Sequence, residues 1–315
     1  MTTVPVAPIE MEQAPAPGAA AHSGLVRGLA VTIAVVLAAS VVGLATISPK
    51  KGPSGDVLAA VLGAAAKTTS ADSARMSFKT RISVSSGGSL PSISIDGVQQ
   101  FTGDRLGDFT VHAAGVTLHM LNAGTTSYIE VPARVRQSGG IPTLWASVDN
   151  SSNSAGNPLS SVMGPSVPGG GDALTTLQEL RANGVVKQAT EGGRQSVRGV
   201  STRVYHLVLD AAQYKEAIRQ RMKDNPAAAA AAIDQLEVAD PTLDLYVDGA
   251  GLVRRQVLDI DSSFSGQGQS AHISAAVTVD LFDFGTPVVV HPPPAAQVTP
   301  LSSPAQMAQL FGGSG

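Results

Sequence analysis

The chain has 315 residues, a net charge of −3 and no cysteine. The missing cysteines exclude disulfide staples, thiolate metal sites, a cysteine nucleophile and a lipidated N-terminal cysteine. The longest basic run is Lys50-Lys51, so the charge footprint of a nucleic-acid binder is absent. Aromatic content is 4% with one tryptophan, Trp145, which argues against stacking platforms for sugars or single strands.

Residues 1–24 are rich in Pro and Ala and read as a disordered tail. Gly28 to Ile47 follows as twenty uncharged residues, GLAVTIAVVLAASVVGLATI. A helix of that length spans roughly 30 Å, the thickness of a bilayer core. Two readings compete: an uncleaved transmembrane tether over residues 25–48, or a signal sequence cut after Ala45, with Gly43 and Ala45 as the small residues at the cleavage site. The run exceeds a signal core of about 7–15 residues, which favours the tether. Arg27 before it and Lys50 and Lys51 after it leave the orientation open.

A linker, residues 49–55, leads into one domain, residues 56–298. Asp56 to Lys67 predicts a short amphipathic helix with Val57, Val61 and Leu62 on one face. Met76, Phe78, Ile82 and Val84 then alternate with polar residues, the period of a half-buried strand. Ile93 and Ile95 continue the pattern. Between Phe109 and Met120 the alternation changes phase at Ala114-Gly115, which predicts a tight turn. Thr125 to Val131 is a further strand, completing a meander.

Ser147 to Asp172 has little periodicity and predicts a long loop. Asp172 caps a predicted helix, Ala173 to Ala182, with Leu174, Leu177 and Leu180 on one side. Strands are predicted at Val185 to Ala189 and Ser201 to Leu209, and a helix from Ala211 to Lys223 that Pro226 interrupts. Asp248 to Gly251 is a hairpin signal between Thr242–Val247 and Leu252–Ile260. Ala271 to Leu281 alternates cleanly over eleven positions. The Pro-rich stretch after His291 reads as outside the core, with residues 299–315 as a flexible tail. The sum is an α+β fold with roughly eight to eleven mainly antiparallel strands, a sheet large enough to need curling or closure.

No nucleophile elbow, P-loop or dinucleotide fingerprint is present. His112 and His119 lack zinc-motif spacing, and the turn between them leaves their relative facing open. His206 and His272 read as polar-face residues of strands. Asp259 and Asp261 share a strand face, which reads as solvated rather than as a cation site. No catalytic residue, cofactor or metal is expected.

Four stretches in order carry a resemblance: Tyr128 to Asp149; Gly192 to Leu209, GGRQSVRGVSTRVYHLVL; Leu245 to Gln256, LYVDGAGLVRRQ; and Leu281 to Pro294, LFDFGTPVVVHPPP. Together they resemble the LppX/LprG-like lipoproteins of actinobacterial cell envelopes, which share a half-barrel fold with the lipoprotein carrier LolA. The resemblance implies a strongly curved antiparallel half-barrel with helices on its concave face, preceded here by one transmembrane helix. It also implies an apolar cavity for acyl chains of lipids or glycolipids, an extracytoplasmic domain on a single-pass membrane anchor (or a secreted one after cleavage), and an envelope transport partner. Relatives are anchored through a lipidated cysteine, which this chain lacks, so the apolar run takes that place.

The apolar faces supply the candidate lining residues Phe78, Ile82, Val111, Leu118, Met120, Leu177, Leu180, Leu245, Val277 and Val279, for each of which plain core packing is the competing role. Lipid carriage is the leading expectation. An envelope sensor or interaction module without lipid transfer is the alternative, and an enzyme has no motif in its favour.

Overall fold

Alternation decides the architecture. In Ser73–Val84 (β1), Ala74, Met76, Phe78, Thr80 and Ile82 are buried while Arg75, Lys79, Arg81 and Ser83 are exposed. Successive strand side chains point to opposite faces, so the even-numbered residues of β1 share one face. The computed structural model describes residues 55–85, 88–89, 92–113, 115–137, 141–149, 185–221, 236–266 and 269–301, with residues 306 and 310.

The further strands are Gly88–Ser89 (β2), Ser94–Gln100 (β3), Gly107–Ala113 (β4), Val116–Ala123 (β5), Thr126–Glu130 (β6), Trp145–Asp149 (β7), Val186–Val197 (β8), Val200–Leu209 (β9), Leu236–Val238 (β10), Thr242–Asp248 (β11), Val253–Gly266 (β12), Gln269–Phe282 (β13) and Val298–Pro300 (β14). Helices are Gly55–Thr69 (α1), Ala133–Gln137 (α2) and Ala211–Arg221 (α3), with a 3-10 turn at Ala295–Gln297.

All fourteen strands form one open sheet in the order β14-β7-β6-β5-β4-β3-β1-β13-β12-β11-β9-β8, with β2 on β1 and β10 on β12. Only β14 beside β7 is parallel; the other pairings are antiparallel. The architecture is therefore mostly β, with few helices. The count exceeds the expected eight to eleven because β2, β10 and β14 are two or three residues long, too short to show a period. The stretch after His291 also needs correction. Its β14 pairs with β7, and Leu301 and Leu310 are core residues, 6% and 0% exposed.

Turn chemistry follows the expectation at two hairpins. Ala113 pairs with Val116, and Gly115 before Val116 has φ +77°, a conformation that glycine adopts without steric cost. In the β11–β12 turn, Asp248 Oδ1 accepts the N–H groups of Ala250 and Leu252, each at 2.9 Å. β8 extends beyond the expected Val185 to Ala189: it runs through Gly192-Gly193 to Val197, with register shifts at Val186/Gln188 and Glu191/Arg194.

α1 begins at Gly55, so Asp56 sits in its first turn rather than capping it, where a carboxylate favours the helix dipole. Val61, Ala64 and Ala65 are buried in the core, and Val57 and Leu62 pack against it. The helix lies on β8 and β12. Thr68 Oγ1 donates to Ala64 O at 2.7 Å and accepts the Val253 N–H at 2.8 Å, which ties its last turn to β12. α3 is capped by Asp210, whose Oδ1 accepts the Gln213 N–H at 2.9 Å.

The apolar run Gly28–Ile47 lies outside the described residues, as do residues 150–184, including Leu177 and Leu180, and the alanine run 227–232. Among the described residues no helix is long and apolar enough to cross a membrane.

Phe109, fully buried, lies over two glycines. A Cβ on Gly97 would come within 2.2 Å of Asp108 O and 2.6 Å of Phe109 Cδ1, and one on Gly107 within 2.4 Å of Phe109 Cε2. Gly63, inside α1, has nothing within 4 Å of such a Cβ. Gly97→Ala is therefore expected to destabilise by about 1–3 kcal/mol through overpacking. Gly63→Ala is expected to stabilise by about 0.5–1 kcal/mol through helix propensity. Urea unfolding of the two variants reads both signs.

Candidate functional site

The registers link one transverse row of residues across eight strands. Leu118 faces Val111, Val111 faces Ile95, and Ile95 faces Phe78. Phe78 faces Val279, Val279 faces Gln256, Gln256 faces Leu245, and Leu245 faces Tyr205. Directly opposed residues in a ladder share a face. The row therefore lies wholly on the face that carries the even-numbered residues of β1, called the inner face below. At about 4.8 Å per strand it extends roughly 34 Å.

Five of the predicted lining residues stand in this row: Phe78, Val111, Leu118, Leu245 and Val279. Ile82, Met120 and Val277 stand on the same face in neighbouring rows, through Ile82↔Ala275, Met120↔Ile129 and Val277↔Thr80. Seven of the eight are at most 8% exposed, and Val279 is half-buried. Sequence reasoning missed Ile95, Phe109, Ile129, Leu207 and Leu258 on this face; each follows from the same alternation once the register is fixed. It also missed Gln256, whose polar character hides its inward position.

Inward polar groups find hydrogen-bond partners in one another or in the backbone. Ser127 Oγ donates to Asn122 Oδ1 at 2.7 Å, Thr80 Oγ1 accepts the Ile93 N–H at 3.1 Å, and Ser262 Oγ donates to Ile273 O at 3.3 Å. Asn122, Ser127, Thr80 and Ser262 are all buried.

Charges gather on the outer face. Asp280 accepts from Arg255 Nε at 2.6 Å and Nη2 at 2.8 Å, and Arg198 Nε approaches it at 3.4 Å. Burial raises the Asp280 carboxyl pKa, but the hydrogen bonds and charge of Arg255, with Arg198 behind them, outweigh it and hold the group below its ordinary value. Arg198 also lies 3.8 Å over the Phe282 ring. Asp259 shifts the other way: burial, then the charges of Asp244 and Asp261, push it up. Asp261 accepts from Ser274 Oγ at 2.6 Å.

The four strand histidines, His112, His119, His206 and His272, belong to this face as well. His112 meets Thr117 Oγ1 at 2.9 Å, His119 meets Asp108 Oδ1 at 2.8 Å, and His206 meets Asp244 Oδ1 at 2.7 Å. His206 and His272 are exposed, as a polar strand face requires. Among the described residues no group of three or more His, Asp or Glu side chains is placed to hold a metal ion. What the transverse row offers chemically is apolar contact over a long path, with the Gln256 amide within it.

No family model matches the chain, and no curated protein does. Solved structures similar to it include the two LppX/LprG-type lipoproteins LprF and LppX. LprF from Mycobacterium bovis is 17% identical over 77% of this chain and 99% of that chain, with a TM-score of 0.41. LppX from Mycobacterium tuberculosis is 10% identical over 75% and 98%, with a TM-score of 0.42. A LolA superfamily protein from Nitrosomonas europaea is 9% identical over 75% and 93%, at 0.22.

The two shifted aspartates predict opposite pH effects. A lowered folded pKa stabilises above the ordinary value of 3.8, and that contribution is lost as pH falls through the folded value. Asp280→Asn is therefore expected to cost about 1–2 kcal/mol near pH 7 by leaving the half-buried Arg255 without its charged partner, and progressively less in acid. A raised folded pKa stabilises below 3.8 and loses that contribution as pH rises through the folded value. Asp259→Asn is expected to raise the unfolding midpoint near pH 7 and to leave it unchanged near pH 3. Urea titrations of both variants across about pH 3–7 check the two signs.

Proposed function

We propose that this protein binds acyl chains of lipids or glycolipids on the inner face of its sheet, outside the cytoplasm and next to a membrane. The observation that carries the reading is the inner-face row, in which seven of eight positions across eight strands are Leu, Val, Ile, Phe or Tyr. Removing a methylene from water gains about 0.8 kcal/mol, so a long acyl chain needs an apolar path and few polar contacts. A site of that kind has no catalytic signature, in keeping with a carrier rather than an enzyme.

The four-part sequence resemblance supports a sheet curved into a half-barrel with helices on its concave side. α1 and α3 accord with that arrangement, since Val61 and Tyr214 belong to the same core as the inner face. Gly28–Ile47 serves as the tether in this reading. A linker over residues 49–55 then limits the domain's reach at roughly 3.5 Å per residue. That geometry favours presenting lipid at the membrane surface, to an envelope transport partner, over soluble shuttling.

Organic extracts of the purified full chain are expected to contain acylated lipid by mass spectrometry, and the protein is expected to speed transfer of a fluorescent acyl lipid between vesicles. Val279→Asp puts a charge at the half-buried point of the row. It is expected to lower bound lipid at least about tenfold, because a buried carboxylate cannot be solvated by hydrocarbon, with the far-ultraviolet circular dichroism unchanged. An empty wild-type protein without transfer activity would overturn the reading.

A further inference from the structure

We propose that Gln256 recognises the ester carbonyl of an acyl lipid, donating a hydrogen bond from Nε2; this rests on the lipid-binding reading and adds the ligand's linkage chemistry to it. Gln256 is 4% exposed. Its Nε2 is the one buried side-chain nitrogen or oxygen without a hydrogen-bond partner among the described residues. Cross-strand pairing sets it between Leu245 and Val279, at an inner position of the apolar row. Buried polar groups in folded proteins are nearly always satisfied, and an orphaned donor costs stability that an apolar side chain of similar volume would not. Asn122, Ser127, Thr80 and Ser262 on the same face obey that rule. The exception at Gln256 is explained by a partner that arrives with the ligand.

The chemistry of that partner is constrained. An N–H donor needs an acceptor. A phosphate or carboxylate would have to leave water for an apolar surface, a cost that only a facing cation could offset. The arginines of β9 and β12 do not serve, since Arg203 is held by Glu191, Arg254 by Asp248 and Arg255 by Asp280. A neutral carbonyl enters such a surface at lower cost, and the ester carbonyl is where an acyl chain carries one. Gln256 then fixes how far along the row the chain lies, while the flanking apolar residues accept chains without regard to their length.

The test equilibrates the full-length protein with an equimolar mixture of dioleoyl phosphatidylcholine and its dialkyl ether analogue. The two probes share headgroup and chains and differ in the carbonyls. Mass spectrometry of the extracted complex gives their ratio. Wild type is expected to enrich the ester about five- to tenfold, the worth of one hydrogen bond. Gln256→Leu and Gln256→Met are expected to bind both lipids equally and to unfold at higher temperature. Equal binding by wild type, or an ester preference retained in both variants, would overturn the role of Gln256 while leaving lipid binding intact. Failure of wild type to bind either lipid would overturn both proposals. The wild-type ratio needs no variant, so a folding defect in one cannot mask the answer.

Discussion

Ten consecutive residue pairs, from Arg75↔Phe282 to Val84↔Ile273, join the first long strand of the domain to the last. On one side of this ladder stand β3 to β7, and on the other β12, β11, β9 and β8. The transverse row passes through it at Phe78↔Val279, so the continuity of the inner face depends on this one register. A slip of a single residue would turn the apolar set of one half outward. The end of the ladder is clamped beyond the strands: Ser73 Oγ donates to Thr286 O at 2.6 Å, and Gly285 N–H donates to Ser73 O at 2.9 Å. Pairing of such distant segments brings a large loop-closure cost before it brings contacts, which makes the domain a slow folder by topology.

The two faces divide the work. The Arg255–Asp280 pair and the histidines of the strands lie on the outer face, where they set local geometry. Arg198 shows how far this goes. It holds φ +49° in the β8–β9 turn, a conformation that suits Asn or Gly better. From that position its guanidinium reaches Asp280 and Phe282 on β13, so the hairpin tip is pinned to a strand that it does not pair with. Keeping charge outside leaves the inner face apolar, which is the condition for one unpaired amide there to matter.

Alternation made most of this legible. Phe78, Ile82, Val111, Leu118, Met120, Leu245, Val277 and Val279 were all identified as inward without any knowledge of which strands pair. The Ala114-Gly115 phase change and the Asp248–Gly251 turn were legible because turn chemistry is local. The β1–β13 ladder was not, because pairing between distant segments leaves no mark in either one. β14 was hidden by its brevity and its proline. Two register shifts and two glycines obscured β8. Gln256 was hidden for a different reason: inside an alternating strand, a polar residue at an inward position breaks the very rule used to read the strand.

An open sheet leaves two outermost strands, and unpaired strand backbones invite addition of another chain. Among the described strands these are β8 and β14. β14 offers three residues and ends in Pro300, which has no N–H to give to a neighbour. β8 carries Lys187, Glu191 and Arg194 and is broken by two bulges, so no long flat stretch is presented. A protein with so long an apolar face must keep that face from drawing its copies into edge-to-edge stacking. These two blunted margins leave the sheet an apolar middle and rims that resist amyloid-like growth.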